Sequence, residues 1–494
     1  WKHPVALTTG GARLVPLPRR IPGTVVQRTS KETRMRTRKR VARLVVPVVA
    51  AGLLLTGVLN GRAFLPEKTH GGWAADPFAP SGIDRIVDAP IRPPTRLDDL
   101  ITNLQDVLRS HPDNGAAATM LGDAYLQKAR ETGDPSYYPK AQALYRQALD
   151  RDPNDFVAMT GMGTLSLARH DFRHALTWGE QAHARNPYHA AALGVIADAQ
   201  IELGRYDQAV QTVQAMVDLR PDLPSFSRVS YMRELLGDVP GAIAAMTQAA
   251  QAGSGRPEHV AWAQAQLGNL SFSTGDVAAA ERYYRQSLQT LDGYVFGVAG
   301  LARVAAARGD FEGAIANYRA AIARMPLPEF VIALGDVYAA AGKAHEAAQQ
   351  YALVQAMQSL YEANGVDTDV EVALFAANHG LEPNRAVERA RAGYEKRPSI
   401  YAADVLAWTL YKTGRYDEAW RYAQEALRLG TRDALLHFHA GMIAAALGLS
   451  NEAIDHLEQA LTINPSFSVL ESRQAVDAFA GLRAGGSLMR GQGQ

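Results

Sequence analysis

Apolar residues recur at every third or fourth position along most of the chain, from Leu97 onward, and glycine or proline interrupts this pattern at regular intervals. Spacings of three and four place apolar side chains on one face of an α-helix. Glycine and proline end such helices or mark the turns between them. The pattern therefore predicts an all-α region of short helices joined by tight turns.

A short motif that begins with glycine and ends with alanine returns throughout this region, for example GRYDQA at 204–209, GDFEGA at 309–314 and GRYDEA at 414–419. The closing alanines of ten such units are Ala141, Ala175, Ala209, Ala242, Ala280, Ala314, Ala347, Ala386, Ala419 and Ala453. Most of these alanines are 33 or 34 residues apart. Self-similarity at a fixed period of this size indicates a repeat architecture in which each unit packs on its neighbours.

The units resemble the tetratricopeptide repeat. That family has a small-residue pair and an aromatic residue in the first helix of each unit, glycine at the turn, and alanine and tyrosine in the second helix. The first unit matches this pattern as Leu121-Gly122, Tyr125, Ala141, Tyr145, Ala148 and Pro153. The seventh unit matches it as Leu334-Gly335, Tyr338, Ala347 and Tyr351.

The resemblance implies a right-handed superhelical solenoid of about ten helix-turn-helix units. Residues 97–483 are expected to form this solenoid, with a leading helix at 97–112 and a closing helix at 469–482. Each unit has two short helices that cannot bury their apolar faces alone, so neighbouring units must stack. The glycine-rich tail at 484–494 is expected to be disordered.

An apolar segment from Leu44 to Gly61 precedes the helical region and contains no charged residue. At about 1.5 Å per residue, a helix of this length reaches roughly 27 Å, close to the thickness of a bilayer core. The segment predicts a single transmembrane helix, with a basic cytoplasmic tail at 1–43 and a Pro/Gly-rich linker at 62–96. A cleaved signal peptide that starts at Met35 is the alternative. Both interpretations place the repeats outside the cytoplasm.

Charge and composition narrow the classes of function. The net charge is +1, but residues 1–43 hold twelve Lys or Arg and a single acid, so the rest of the chain is acidic. Nucleic-acid binding requires a basic face on the folded part, so no nucleic-acid partner is expected. The absence of cysteine excludes disulfides, cysteine zinc sites and a thiol nucleophile. No zinc-protease, P-loop or serine-nucleophile motif is present, so we expect no enzymatic activity, no metal and no cofactor.

The family resemblance also implies a binding groove on the inner face of the superhelix, lined mainly by positions 2, 5, 9 and 12 of each first helix. The residues selected at these positions are Asp198, Tyr231, Trp262, Asn269, Arg303, Asp336, Tyr401, Asp404, Trp408, Tyr411, Phe438 and Met442. Aromatic and methionine side chains are effective anchors in protein interfaces. For Trp408, Tyr411 and Phe438, packing between helix pairs or against the closing helix is an equal alternative.

These observations together predict a non-enzymatic, membrane-anchored scaffold of a bacterial envelope, whose extracytoplasmic repeats bind a protein or peptide in the groove. A permanent structural subunit of a larger or self-associated assembly is one alternative. A soluble cytoplasmic adaptor is another, and it applies if the segment at 44–61 does not cross a membrane.

Overall fold

The structure is a computed structural model that describes residues 97–485, and these residues form 22 α-helices and no strand. The helices are α1 (Leu97–Ser110), α2 (Gly115–Thr132), α3 (Tyr137–Arg151), α4 (Phe156–Ala168), α5 (Phe172–Arg185), α6 (Ala190–Glu202), α7 (Tyr206–Leu219), α8 (Leu223–Leu235), α9 (Val239–Ala252), α10 (Pro257–Ser273), α11 (Val277–Thr290), α12 (Val295–Ala307), α13 (Phe311–Arg324), α14 (Pro328–Ala340), α15 (Ala344–Ala363), α16 (Asp369–His379), α17 (Pro383–Lys396), α18 (Ile400–Lys412), α19 (Tyr416–Ala426), α20 (Ala434–Ala446), α21 (Ser450–Ile463) and α22 (Glu471–Arg483). The predicted basic tail at 1–43, apolar segment at 44–61, linker at 62–96 and residues 486–494 of the tail lie outside the described residues.

Ten helix pairs, from α2/α3 to α20/α21, form consecutive units that we number 1 to 10, and α1 and α22 flank them. The two helices of each unit pack on each other, and each unit packs on the next. The prediction of an all-α solenoid is confirmed. Its right-handed twist stays a prediction.

A glycine–aspartate pair forms the turn between the two helices in several units. In unit 6, Gly309 has a φ angle of 76°, and the side chain of Asp310 accepts a hydrogen bond of 2.9 Å from the backbone N–H of Gly313. Glycine adopts this left-handed conformation at little cost, and aspartate satisfies a free N–H at the start of the second helix. Gly275 and Asp276 repeat the arrangement in unit 5. The local sequence thus determines where these helices end and begin.

Tyrosines of second helices fill the space between the first helices of successive units. Tyr145 is fully buried, and a methyl group added to Gly122 or Gly161 would lie 2.7 or 2.3 Å from its ring. Tyr284 lies against Gly268 and Gly300 in the same way. Glycine is therefore required where a ring meets the helix backbone, since any larger residue would displace the ring.

First helices of neighbouring units also pack on each other, as α4 does on α6 and α18 on α20. The second helices lie outside them and carry most of the exposed charged residues. The first helices therefore form an inner layer, and we call their side chains at the groove positions the inner surface.

The solenoid curls far enough for its second superhelical turn to contact its first. The contacts, which we call the seam, join the intra-unit turns of units 1–5 to the loops that follow units 6–10. They join Gly133 to Leu327, Arg169 Nε to the carbonyl O of Asn364 (3.0 Å), His170 Nδ1 to the carbonyl O of Asp367 (2.7 Å), the N–H of Ile400 to Tyr206 Oη (2.9 Å), Thr431 Oγ1 to the carbonyl O of Leu235 (2.6 Å), and Asn464 Nδ2 to the carbonyl O of Phe272 (2.8 Å). Five of these partners are 192 to 197 residues apart, so the superhelix returns on itself after five to six units.

Alanine at Gly204 is expected to destabilise the protein more than alanine at Gly414. Both glycines end a first helix with positive φ, at 69° and 77°, so both substitutions have the same backbone cost of about 1 kcal/mol. Only Gly204 lies at the seam, where an added methyl group would lie 2.4 Å from the carbonyl O of Pro398, whereas nothing lies within 4 Å of that position at Gly414. We expect Gly204→Ala to cost about 1–3 kcal/mol more, measured by urea denaturation. Equal losses would mean that the seam is not closed in solution.

Candidate protein-binding surface

All twelve residues predicted to line the groove lie on first helices, in the inner layer. Seven of them are buried: Asp198, Tyr231, Trp262, Asp404, Trp408, Phe438 and Met442. Five are partly buried, and of these Tyr401 has a buried hydroxyl: Asn269, Arg303, Asp336, Tyr401 and Tyr411. Their binding role stays a prediction, but their burial divides them into residues that pack the solenoid and residues that line its accessible inner surface.

Asp198 forms a buried ion pair with Arg228 of the next unit. Arg228 donates from Nε and Nη2 to the two carboxylate oxygens, at 2.8 and 2.5 Å, and from Nη1 to the carbonyl O of Pro224 at 3.0 Å. Each of the two side chains is 1% exposed. A buried charge of this kind requires its partner, so the pair links α6 to α8 and Asp198 cannot contact a ligand without breaking it.

Trp408 is at the centre of an aromatic cluster that joins units 8, 9 and 10. Its ring is 0% exposed, stacks on Tyr411 and His439 at centroid distances of 4.8 and 4.0 Å, and its Nε1 donates to Asn378 Oδ1 at 2.8 Å. Phe438 packs at 5.6 Å from Trp408. These contacts correspond to the packing alternative for Trp408, while Tyr411 remains partly accessible at the edge of the cluster.

Two buried pairs complete this end of the inner layer. His439 Nδ1 donates to Asp404, with distances of 2.9 and 3.0 Å to the two carboxylate oxygens, and both side chains are buried. Phe438 also packs against Phe467 at 5.5 Å, in the apolar cluster that contains Met442 and residues of the closing helix α22. The closing helix thus covers the last unit.

The partly buried residues hold the tyrosines of the second helices. Tyr284 donates to Asn269 Oδ1 at 2.7 Å, and Tyr351 donates to Asp336 Oδ1 at 2.9 Å. His379 Nε2 reaches the same oxygen of Asp336 at 2.9 Å. Each of these positions therefore combines a structural hydrogen bond with an accessible edge.

Arg303 lies beside them on the inner surface. Its guanidinium is 4.1 Å from the ring centroid of Phe272, a distance at which a cation and an aromatic face attract each other. The remaining N–H groups of the guanidinium can serve a carbonyl or carboxylate of a partner.

Carboxylates on the inner side of the first helices were missed by the sequence analysis. Burial raises the pKa of Glu234 to about 8 and that of Glu329 to about 7. Burial and the nearby Asp404 raise the pKa of Asp433 to about 7. Glu234 follows Tyr231 by three residues and Glu329 precedes Asp336 by seven, so the positional rule that selected Tyr231 and Asp336 covers both glutamates. The inner surface is therefore richer in acids than predicted.

Glu234 is expected to make the protein less stable as the pH rises. Its pKa is near 8 when folded and 4.5 when unfolded, so the folded state holds a proton that the unfolded state releases, and stability falls between these two values. The Glu234→Gln variant has no proton to release at this position, so it lacks this pH-dependent loss of stability. Its melting temperature should match that of the wild type near pH 5 and exceed it near pH 9. Glu388→Gln, at an exposed position on α17, is the control. A constant difference between wild type and Glu234→Gln from pH 5 to 9 would contradict the shift.

Residues 97–485 bring together no group of three or more His, Cys, Asp or Glu side chains that could hold a metal ion. Within the same range, no helix combines the length and apolar composition needed to cross a membrane. The inner surface is thus the main candidate site in the described part of the chain.

Comparisons with solved structures return other repeat solenoids. The chain is similar to a chain of the APC/C hetero-tetramer Cut9–Hcn1, with 16% identity, a TM-score of 0.36, and coverage of 78% of this chain and 82% of that one. It is similar to a thermophilic TPR protein of Thermus thermophilus, with 20% identity, a TM-score of 0.33, and coverage of 42% and 98%. It is also similar to yeast Tom70, with 10% identity, a TM-score of 0.32, and coverage of 79% and 96%. Similarity at this level carries no information about partners.

No curated protein matches the sequence of this chain. Sequence models of the tetratricopeptide repeat family do match it, over residues 166–232, 260–291, 300–359 and 405–466. These segments fall in units 2 to 7 and in units 9 and 10, where the structure has stacked helix pairs. The chain therefore contains tetratricopeptide repeats in these segments.

Proposed function

We propose that this protein is a non-enzymatic scaffold that binds a protein or peptide through the inner surface of its solenoid. Proteins built from tetratricopeptide repeats generally act as such scaffolds. The observation that carries the proposal is the set of partly buried residues on the first helices, Asn269, Arg303, Asp336, Tyr401 and Tyr411. They combine aromatic edges with hydrogen-bonding and charged groups, a mixture suited to holding an extended or helical segment.

The chemistry of this surface favours a partner with polar groups that can both donate and accept hydrogen bonds. Asp336 offers a carboxylate acceptor, and Arg303 offers guanidinium donors. The raised pKa values of Glu234 and Glu329 favour their protonated forms near neutral pH, in which the carboxyl group is uncharged and can donate a hydrogen bond. Complementary charge mainly sets which partner binds and how fast it does so. The buried pairs Asp198–Arg228 and Asp404–His439 keep the surface rigid, which reduces the entropy lost on binding.

The proposal also includes the setting of the scaffold. The uncharged segment at 44–61, flanked by Arg43 and Arg62, supports membrane anchoring with the repeats outside the cytoplasm of a bacterial cell. A linker of about 35 residues, rich in proline and glycine, would let the solenoid search for its partner near the membrane. Assembly of an envelope complex fits this arrangement, with the repeats as its docking platform.

The test uses the full chain in its native membranes. We would cross-link, extract with mild detergent, capture the chain and quantify co-purifying proteins by mass spectrometry. Variants Arg303→Ala and Tyr411→Ala remove accessible groups from the inner surface. Tyr188→Ala is the control, because Tyr188 is 82% exposed on the loop between α5 and α6 and is not one of the inner-surface residues. We expect one stoichiometric partner that both inner-surface variants lose and the control keeps.

The other outcomes separate the rival functions. A partner that resists all three substitutions and leaves only when the chain unfolds would favour a permanent structural subunit over an exchangeable ligand. Recovery of the chain in the soluble fraction would contradict the membrane anchor and favour a cytoplasmic adaptor. Self-association of the chain is a further alternative. In that case the captured chain would bring down only differently tagged copies of itself.

A further inference from the structure

Helix α15 of unit 7 differs from the other second helices in its length. It has 20 residues, while the others have 11 to 15. One side of this helix is anchored: Val354 is fully buried, and near the C-terminal end Tyr361 donates from its hydroxyl to the carbonyl O of Gly133 at 3.1 Å. The extension is therefore an ordered part of the solenoid that packs on unit 1.

The opposite side of α15 is exposed, and most of its residues are apolar, with the polar residues Gln355 and Ser359 beside them. Leu353 is 44% exposed and Leu360 is 50% exposed, and they are two of the five large apolar residues that are exposed in the described part of the chain. Ala356 and Ala363 are exposed on the same side. No charged residue lies between Glu346 and Glu362, whereas the exposed sides of α13 and α17 carry arginines and glutamates. An ordered apolar strip with a charged rim has the composition of an interface.

The order of large and small residues on this strip is self-complementary. Leu353, Ala356, Leu360 and Ala363 follow the alternating spacing of three and four that forms the contact line of paired helices. If a second copy packs antiparallel about a two-fold axis at residue 358, Leu353 meets Ala363 and Ala356 meets Leu360. Every leucine then packs over an alanine of the other helix, so that each large side chain fills the space left by a small one along the whole contact.

We propose that this strip of α15, which comprises Leu353, Ala356, Leu360 and Ala363, pairs with the same strip of a second copy to form an antiparallel two-fold dimer. A two-fold contact uses the same patch on both copies, which the reversed leucine–alanine order satisfies. The absence of charge removes the like-charge repulsion that most self-contacts must overcome. The size pattern and the lack of charge together thus identify a second copy of this chain as the molecule that covers the strip.

The area of the strip limits the strength of this dimer. Stable interfaces bury roughly 1,200–2,000 Å² in total, and two helix faces of this length bury less, so we expect a weak dimer with a dissociation constant in about the micromolar range. The contact lies on the outer layer, so both inner surfaces stay free. A dimer would then offer a partner two binding surfaces, which raises its overall affinity.

Cysteine trapping tests the register directly, because the chain has no cysteine of its own. We would prepare full-length Ala356→Cys and Leu360→Cys proteins, mix them, oxidise under mild conditions and quantify covalent dimers. The proposed pairing brings position 356 of one copy opposite position 360 of the other. We therefore expect the mixture to yield several-fold more covalent dimer than either protein alone. Equal yields in all three samples would overturn the two-fold register.

Sedimentation of detergent-solubilised full chains tests the surface itself. Leu360→Lys places a charge on the strip and should weaken self-association by about tenfold or more. Val476→Lys, at a residue of α22 that is 47% exposed, is the matched control and should leave it unchanged. A wild-type chain that stays monomeric up to high micromolar concentration would overturn the proposal. So would a monomer whose captured partner is lost with Leu360→Lys, since a different protein would then cover the strip.

Discussion

Replacing Asp198 with alanine is expected to lower the free energy of unfolding by about 3–5 kcal/mol, because the guanidinium of Arg228 then stays buried without its counter-charge. Both side chains are 1% exposed, so water cannot replace the lost carboxylate. The measurement is urea denaturation followed by circular dichroism, with the wild type in parallel. In a repeat array the loss should be largest in units 3 and 4, since stability is shared mainly between neighbouring units.

A double substitution separates the charge from the volume of these side chains. Asp198→Leu combined with Arg228→Met fills similar space without burying an ion, and it should recover most of the lost stability. Asp98→Ala, which removes the exposed partner of Lys128, should cost about 1 kcal/mol or less. If the single and double variants at Asp198 and Arg228 lose the same stability, an uncompensated charge is not the cause, and the expectation is wrong.

The helices and their order could be predicted from the sequence because the signals are local. Gly309 takes a left-handed φ and Asp310 caps the next helix within three residues, so one short motif contains the whole turn. Tyr145 and the glycines around it recur at the family spacing, which predicts that neighbouring units stack. Ten units could thus be located from a periodic pattern of glycine, alanine and tyrosine.

The seam could not be predicted, because nothing periodic connects residues 192 to 197 positions apart. Whether two superhelical turns touch depends on a small rotation between each unit and the next, which accumulates over five to six units. Thr431 and Asn464 are ordinary loop residues in sequence, and only this curvature places them against Leu235 and Phe272. The same curvature determines how much of the inner surface remains open.

The candidate site could be predicted only in part, because the burial of its residues also depends on how the units pack in three dimensions. The positional rule identified residues of the inner layer, but it could not distinguish an accessible side chain such as Tyr411 from a buried one such as Trp408, although both lie on α18. Burial there depends on neighbours from three units and from the closing helix. The rule also covers the positions of Glu234 and Glu329, which were not among the residues selected from the sequence. Their raised pKa values depend on burial and so could not be predicted from the sequence.

Replacing Trp408 with alanine is expected to lower the free energy of unfolding by about 3–5 kcal/mol, because its ring is fully buried and the cavity left behind would be lined by Tyr411, Phe438 and His439. Trp408→Phe keeps most of the contact but removes the hydrogen bond to Asn378, so it should cost about 1–3 kcal/mol. Urea denaturation measures both, with Tyr188→Ala as an exposed aromatic control. If Trp408→Ala kept wild-type stability and yet lost a partner, Trp408 would have to be accessible in solution and would return to the binding surface. A large loss of stability would instead mean that binding defects of this variant report unfolding of units 8 to 10, so Tyr411→Ala is the better probe of recognition.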